Sequence, residues 1–245
     1  MSSRGFTMTK SVIIYSGGMD SFTLINILKE NGDDVHALSF NYGQRHLKEL
    51  VYAAVVCKHH LKVPHTVVDL SCLTELISSS TLTSDKDVPD GHYSELTMRQ
   101  TVVPNRNMIM LSIAVGYAVN IGAEKVYTAV HAGDHAIYPD CRKDFIDAMT
   151  EVTKISNYQP VTIEAPFIDL SKGQILMEGE HYGNLDEADY DHAWTCYKGR
   201  EKPCGRCGAC VERLEAFDEH GWRDPLEYED REFYLDAIAK AAASE

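Results

Sequence analysis

The sequence contains no run approaching the roughly 18 apolar residues that a membrane-spanning helix needs. Its opening residues, MSSRGFTMTK, lack the apolar centre of a secretion signal. A membrane or export role is therefore not expected, and a cytoplasmic location is. Met1–Thr9 reads as a loose lead-in to the first apolar run at Ser11. Basic charge is also scarce: 23 Lys and Arg stand against 37 Asp and Glu, for a formal net charge of −14, and no Lys/Arg-rich run occurs. Proteins that bind nucleic acid through its phosphates need a basic surface, so no nucleic-acid partner is expected and a small-molecule substrate is favoured. Neither a Gly-Lys-Ser/Thr loop nor a G-x-G-x-x-G fingerprint is present, which removes the two commonest nucleotide signatures. There is no internal repeat and no low-complexity tract.

The 245 residues, 44% of them hydrophobic, suit one α/β domain with a small appendage. Apolar runs that read as strands, SVIIY (11–15), DVHALSF (34–40), HTVVDL (65–70), KVYTAV (125–130) and VTIEAP (161–166), alternate with helical patterns. Those helices are expected from Met19 to near Gly32, over 47–60, 106–122 and 143–155, and from near Ser171. Such alternation predicts a parallel sheet covered on both faces, with ligands beyond the carboxyl ends of its strands. Residues 78–92, polar and holding Pro89 and Gly91, read as a long mobile loop. The acids of 186–192 and of the tail from Asp218 read as solvated faces.

The stretch SVIIYSGGMDSFTL carries the clearest chemistry. Gly17 and Gly18 let the backbone approach a ligand, and the amides entering the next helix, with its dipole, form an anion site beside the Ser16 and Ser21 hydroxyls. Asp20 would repel phosphate directly and makes sense as a helix N-terminal residue or a magnesium ligand. The plain alternative is a glycine turn before a capped helix. The hexapeptide SGGMDS matches SGGxDS, the loop with which ATP pyrophosphatases handle ATP. Near the C-terminus, Cys196, Cys204, Cys207 and Cys210 have the spacing C-x7-C-x2-C-x2-C, four thiolates able to close a tetrahedron around structural zinc. An iron–sulfur cluster or unligated thiols are the alternatives. Cys57 and Cys72 read as buried small hydrophobes.

Five motifs in order, SGGMDS, YGQRH (42–46), VPNRN (103–107), HAGDHAIYPDCR (131–142) and WTCY…CGRCGACVER (194–213), make the chain resemble the QueC family of 7-cyano-7-deazaguanine synthases from about Ser11 to Phe217. The resemblance implies an adenine-nucleotide hydrolase-like doubly wound parallel sheet, an ATP-binding domain over 10–185 and a zinc-binding segment over 186–245. It also implies ATP, Mg2+ and structural Zn2+, a homodimer, and conversion of 7-carboxy-7-deazaguanine and ammonia, through the amide, to the nitrile. Ser16, Gly17, Gly18, Asp20 and Ser21 match the family's ATP loop, with Ile14, Tyr15, Met19, Phe22, Thr23 and Leu24 shaping it, and the four cysteines match its zinc ligands.

Other roles are inferred from position. Phe40 and Asn41 are placed to meet adenine, and Arg45 and Arg106 to neutralise phosphate or the substrate carboxylate. Asp134 and Asp140 are candidates for the guanine-like edge or magnesium, and Tyr138 for stacking on the base. His131 and His135 are candidates for moving a proton from ammonium, and Lys172 for reaching a phosphate. For each Arg the plain alternative is a structural ion pair, and for Lys172 a solvated lysine. Competing functions are an ATP pyrophosphatase amidating a different carboxylate, a tRNA-modifying enzyme, which −14 disfavours, and a non-catalytic zinc module, which would not need the ATP loop.

Overall fold

The computed structural model describes residues 9–93 and 95–243; of the lead-in only Thr9 falls within them. Five parallel strands form one sheet: β1 (Lys10–Ile14), β2 (Asp34–Asn41), β3 (His65–Asp69), β4 (Lys125–Tyr127) and β5 (Thr162–Glu164), in the order β3-β2-β1-β4-β5. The order reverses at β1, between β2 and β4. Both neighbours of β1 are thus reached by crossovers leaving in opposite directions, and a crevice opens at its carboxyl end. The register, with Ile14 opposite Leu38 and Ile13 opposite Tyr127, sets the loops after β1, β2 and β4 side by side.

The central strands β1 and β2 are apolar on both faces because helices cover both, while the edge strand β3 is largely exposed. On one face α1 (Met19–Glu30), α5 (Lys172–Tyr182) and α6 (Gly208–His220) pack around Ile13, Tyr15, Phe22, Ile25, Ile175 and Phe217. On the other, α3 (Arg106–Ile121) and α4 (Lys143–Ser156) pack on Val12, Leu38, Val126 and Ile163. Helix α2 (Lys48–Val55) continues as a π-helical turn over Val56–Leu61 and stops where Lys62 takes a left-handed φ of 53°.

Three expectations need correction. Residues 78–92 are a packed segment, not a loose one. Leu82 is fully buried, Thr81 N–H donates to the Gln100 carbonyl at 2.8 Å, and Arg45 N–H donates to the Leu82 carbonyl at 3.1 Å. The tail from Asp218 is not uniformly solvated: Asp224 is buried against Arg213, and α7 (Phe233–Ala242) turns Ala237 inward. Cys72 is exposed, whereas Cys57 is buried as expected.

The Arg213–Asp224 pair explains how the C-terminal part is fixed. Arg213 Nε and Nη2 reach the two carboxylate oxygens at 2.7 and 3.0 Å, and its remaining donors reach the Ala193 and Tyr190 carbonyls at 2.7 and 2.8 Å. A buried pair tolerates burial only when its other lone pairs and protons are also engaged, as they are here. The chain at 190–194 is thereby held in place, and Trp194 N–H donates at 2.8 Å to the carbonyl of Gly17 in the loop after β1.

Candidate active site and four-cysteine centre

The loop after β1 is tied by its own serines. Gly18 N–H donates to Ser16 Oγ at 3.1 Å, Ser21 Oγ donates to the Gly18 carbonyl at 3.0 Å, and the two hydroxyls are 3.1 Å apart. Gly17 has φ +88°, and a Cβ there would stand 2.3 Å from the Glu49 carbonyl oxygen at the start of α2. The position therefore requires glycine on conformation and on space. Beyond Gly18 the first-turn amides of α1 lack helical acceptors, so positive potential is concentrated at this end.

Beside the loop lies a chain of charged and titratable groups, of which Lys172, Glu212 and His131 are buried. Lys172, at the start of α5, is 2.6 Å from Glu212 of α6 and 3.5 Å from Asp20 Oδ2. Burial works against its charge, but Asp20 and then Glu212 hold the ammonium well above the usual lysine range. His131 accepts the Gly133 N–H at Nδ1, so its proton sits on Nε2, which faces Asp134 Oδ2 at 3.6 Å and Asp20 Oδ2 at 3.9 Å. Asp20 Oδ1 is buried without a hydrogen-bond partner among the described residues.

In front of the loop is a cavity of about 190 Å³ whose walls include Ser16, Asp20, Phe40, Thr128, Arg106 and Tyr138. Arg106 opens α3, donates to the Tyr42 hydroxyl at 3.3 Å, and lies 5.8 and 5.7 Å from the Tyr42 and Tyr138 ring centres. No carboxylate pairs with it among the described residues. A guanidinium on a cavity wall with a phenol as its hydrogen-bond partner has donors free to receive an anion.

The Cys196, Cys204, Cys207 and Cys210 sulfurs are all buried and lie within 4.8 Å of one another. Cys204 and Cys210 are 3.9 Å apart. A zinc–sulfur bond of about 2.3 Å gives tetrahedral edges of about 3.8 Å, so the donor set fits zinc with no open position. Backbone N–H groups of Arg206 and Cys207 donate to Cys204 Sγ at 3.4 and 3.3 Å, as thiolates at such a site require. Gly205, at φ +73°, threads the turn where a Cβ would strike the Asp230 carbonyl.

Residues 10–221 match the family described as "Queuosine biosynthesis protein QueC". The chain belongs to the QueC family. Among its relatives, the 7-cyano-7-deazaguanine synthase of Marinobacter nauticus is 59% identical over 223 residues, covering 91% of this chain and 99% of that protein. The enzyme of the same name from Alteromonas mediterranea is 61% identical over 218 residues, covering 89% and 98%.

For this QueC-family chain, the geometry sorts the residues singled out in the sequence. Ile14, Tyr15, Ser16, Asp20, Ser21, Phe40, Arg106, Asp134 and Tyr138 line the cavity. Gly17 and Gly18 form the loop beside it. Met19, Phe22, Thr23 and Leu24 are buried behind it, with Thr23 Oγ1 bonded to the Met19 carbonyl and the Tyr190 hydroxyl.

Six more are off the cavity wall, His131 and Lys172 among the charges described above and four others. Asn41 Oδ1 accepts the Gly43 N–H, and Arg45 turns outward to donate to the Lys86 carbonyl. Asp140 accepts the Asn107 N–H at the start of α3, and His135 Nε2 is buried without a hydrogen-bond partner among the described residues. Sequence reasoning missed Tyr42, His46, Glu49, Asn107, Cys141 and Tyr197 on the wall, and Glu212 behind it. Tyr42 and His46 lie within a quoted motif, YGQRH. The signal was there, but not which of its side chains face inward.

Proposed function

We propose that the chain is an ATP-dependent carbon–nitrogen ligase that converts 7-carboxy-7-deazaguanine and ammonia to 7-cyano-7-deazaguanine. The observation that carries this reading is Arg106, a cation without an acidic partner among the described residues, on the wall of the same cavity that the SGGMDS loop opens into. Relatives named 7-cyano-7-deazaguanine synthase support the nitrile as the product.

A carboxylate is a poor electrophile because its charge is delocalised and oxide is a hopeless leaving group. Attack of a carboxylate oxygen on the α-phosphorus of ATP forms an acyl adenylate and releases pyrophosphate. Ammonia then displaces AMP, and loss of a proton leaves the amide. Attack of the amide oxygen on a second ATP, with loss of pyrophosphate, AMP and two protons over the step, leaves the C≡N bond.

In this reading the loop amides and the Ser16 and Ser21 hydroxyls hold the departing pyrophosphate. Arg106 orients the carboxylate against the α-phosphorus and offsets its charge, and Tyr138 gives the ring a flat wall. His131, its Nε2 proton facing two carboxylates, is placed to pass protons released at the amination step. Asp20 Oδ1 and Asp134 would hold magnesium, which when bound neutralises phosphate charge. The four-cysteine centre would hold zinc in a structural role, fixing the segment whose Trp194 grips the loop. Residues 10–185 serve as the ATP-binding domain and 186–245 as a zinc-binding segment packed on it, in a cytoplasmic homodimer.

The test is a mass-spectrometric assay of purified protein with ATP, magnesium, ammonium and 7-carboxy-7-deazaguanine. ATP-dependent loss of the acid, with the amide and then the nitrile appearing, is expected, and Asp20→Ala should abolish it. Pyrophosphate release only with some other carboxylate would leave the loop chemistry standing and remove this substrate.

A further inference from the structure

Glu49, in the first turn of α2, is a carboxyl group on the cavity wall that the proposed chemistry leaves without a task. Its side chain is only 12% exposed. Oε1 accepts from Gln44 Nε2 at 3.2 Å and lies 3.5 Å from His46 Nε2, while Oε2 makes no hydrogen bond among the described residues. Among the described residues no lysine or arginine pairs with it: Arg106 donates to Tyr42, and Lys48 turns away to the Glu201 carbonyl at 2.6 Å. Burial pushes Glu49 up to about 8, and burial beside Arg106 pushes His46 down to about 3, so neither supplies the other with a stable counter-charge. His46 Nδ1 is also buried without a hydrogen-bond partner among the described residues. Such a group is costly in an empty protein, and a bound molecule that donates hydrogen bonds relieves the cost.

The surroundings hold Glu49 rigidly. Gln44 is fully committed, donating to the Phe40 carbonyl at 2.9 Å as well as to Glu49, and accepting the Tyr42 N–H at 2.8 Å. The backbone of Glu49 abuts Gly17, and Glu49 lines the same cavity as Ser16 and Asp20. The Tyr42, Tyr138 and Tyr197 side chains share the wall, which suits a flat heteroaromatic ring.

We propose that Glu49 is a specificity-determining residue that reads the donor edge of the substrate's pyrimidinone ring, its ring N–H and adjacent exocyclic amine. This rests on the functional reading above. Those two groups are near-parallel donors, and their hydrogen bonds favour the ionised form of Glu49, which presents two oxygens to match them. A site built on such bonds discriminates against an analogue lacking one donor, because the site's own polar group is then left unpaired. The edge recognised by Glu49 is opposite in hydrogen-bonding sense to the carboxylate recognised by Arg106, so the two residues together fix the orientation of the ring.

The test compares the natural acid with its analogue lacking the exocyclic amine, on the wild type and on Glu49→Gln. Wild type should prefer the natural acid by about 100-fold in kcat/KM. Glu49→Gln should lose most of that factor on the natural acid and little on the analogue, so that the preference falls to within about threefold. Calorimetric binding of both acids to the same two proteins gives the comparison without turnover. An undiminished preference in Glu49→Gln would overturn the role of Glu49, as would activity restored to wild-type level by raised magnesium, the mark of a cation ligand. A wild type that leaves both acids unchanged while folded and zinc-loaded would overturn the functional reading itself.

Discussion

Lys172 Nζ lies 3.5 Å from Asp20 Oδ2, joining the start of α5 to the loop after β1 through a contact buried between them. Glu212, 2.6 Å away on α6, completes the link to the helix that carries Cys210. Removing the cation leaves the buried Glu212 carboxylate unpaired and takes the nearest cation from Asp20. Lys172→Met should therefore destabilise the protein by about 3–5 kcal/mol, as expected when one partner of a buried ion pair is lost. Denaturant unfolding monitored by circular dichroism measures this, and a loss under 1 kcal/mol would mean the pair is not coupled to folding.

Gly17 has no spare room. Gly17→Ala places a methyl against the Glu49 carbonyl and demands a left-handed φ from a residue with a Cβ, which costs about 1–2 kcal/mol before any clash is counted. The loop should shift rather than the sheet unfold. ATP affinity measured by calorimetry is expected to fall at least tenfold while the circular dichroism spectrum stays unchanged.

The four-cysteine centre and the phosphate loop are linked through Trp194 and Arg213. Purified protein should contain one zinc per chain by elemental analysis, with zinc–sulfur distances of about 2.3 Å in X-ray absorption. Cys207→Ser or strong chelation should lower the melting temperature and loosen ATP binding together. Metal loss with unchanged melting would contradict a structural role.

The Glu49 and His46 shifts give stability an unusual pH dependence. Glu49 is raised from 4.5 to about 8 in the folded state, so its contribution is present at low pH and lost as pH rises between those values. His46 is lowered from 6.5 to about 3, so its contribution is present above 6.5 and lost as pH falls toward 3. The two slopes oppose each other between 4.5 and 6.5, and Glu49 acts alone from 6.5 to 8. Over that upper window wild type should lose stability relative to Glu49→Gln, as read by melting temperature at each pH. A flat difference would show that Glu49 is already ionised.

The strand series was legible because apolar runs punctuated by turns follow from burial on both faces. The runs at 125–130 and 161–166 pair only over Lys125–Tyr127 and Thr162–Glu164, since the residues beyond β4 leave the ladder where the cavity opens. Helix α6 was missed because Glu212 and Arg213 are buried through pairing, so its polar pattern does not mark its buried face. The same limit affected the site. Along 42–46 the side chains alternate, with Tyr42, Gln44 and His46 buried and Arg45 exposed, and composition does not reveal that parity. Arg106 could be singled out from the sequence, but that no carboxylate among the described residues pairs with it is a fact of the fold.

The most direct measurement follows oxygen. With the substrate carboxylate labelled with oxygen-18, adenylation transfers one carboxylate oxygen to AMP in forming the amide and the other in forming the nitrile. Phosphorus NMR or mass spectrometry of the products should find one label in each AMP and none in pyrophosphate. Unlabelled AMP, with the label left in water or in pyrophosphate, would contradict activation by adenylation in this cavity.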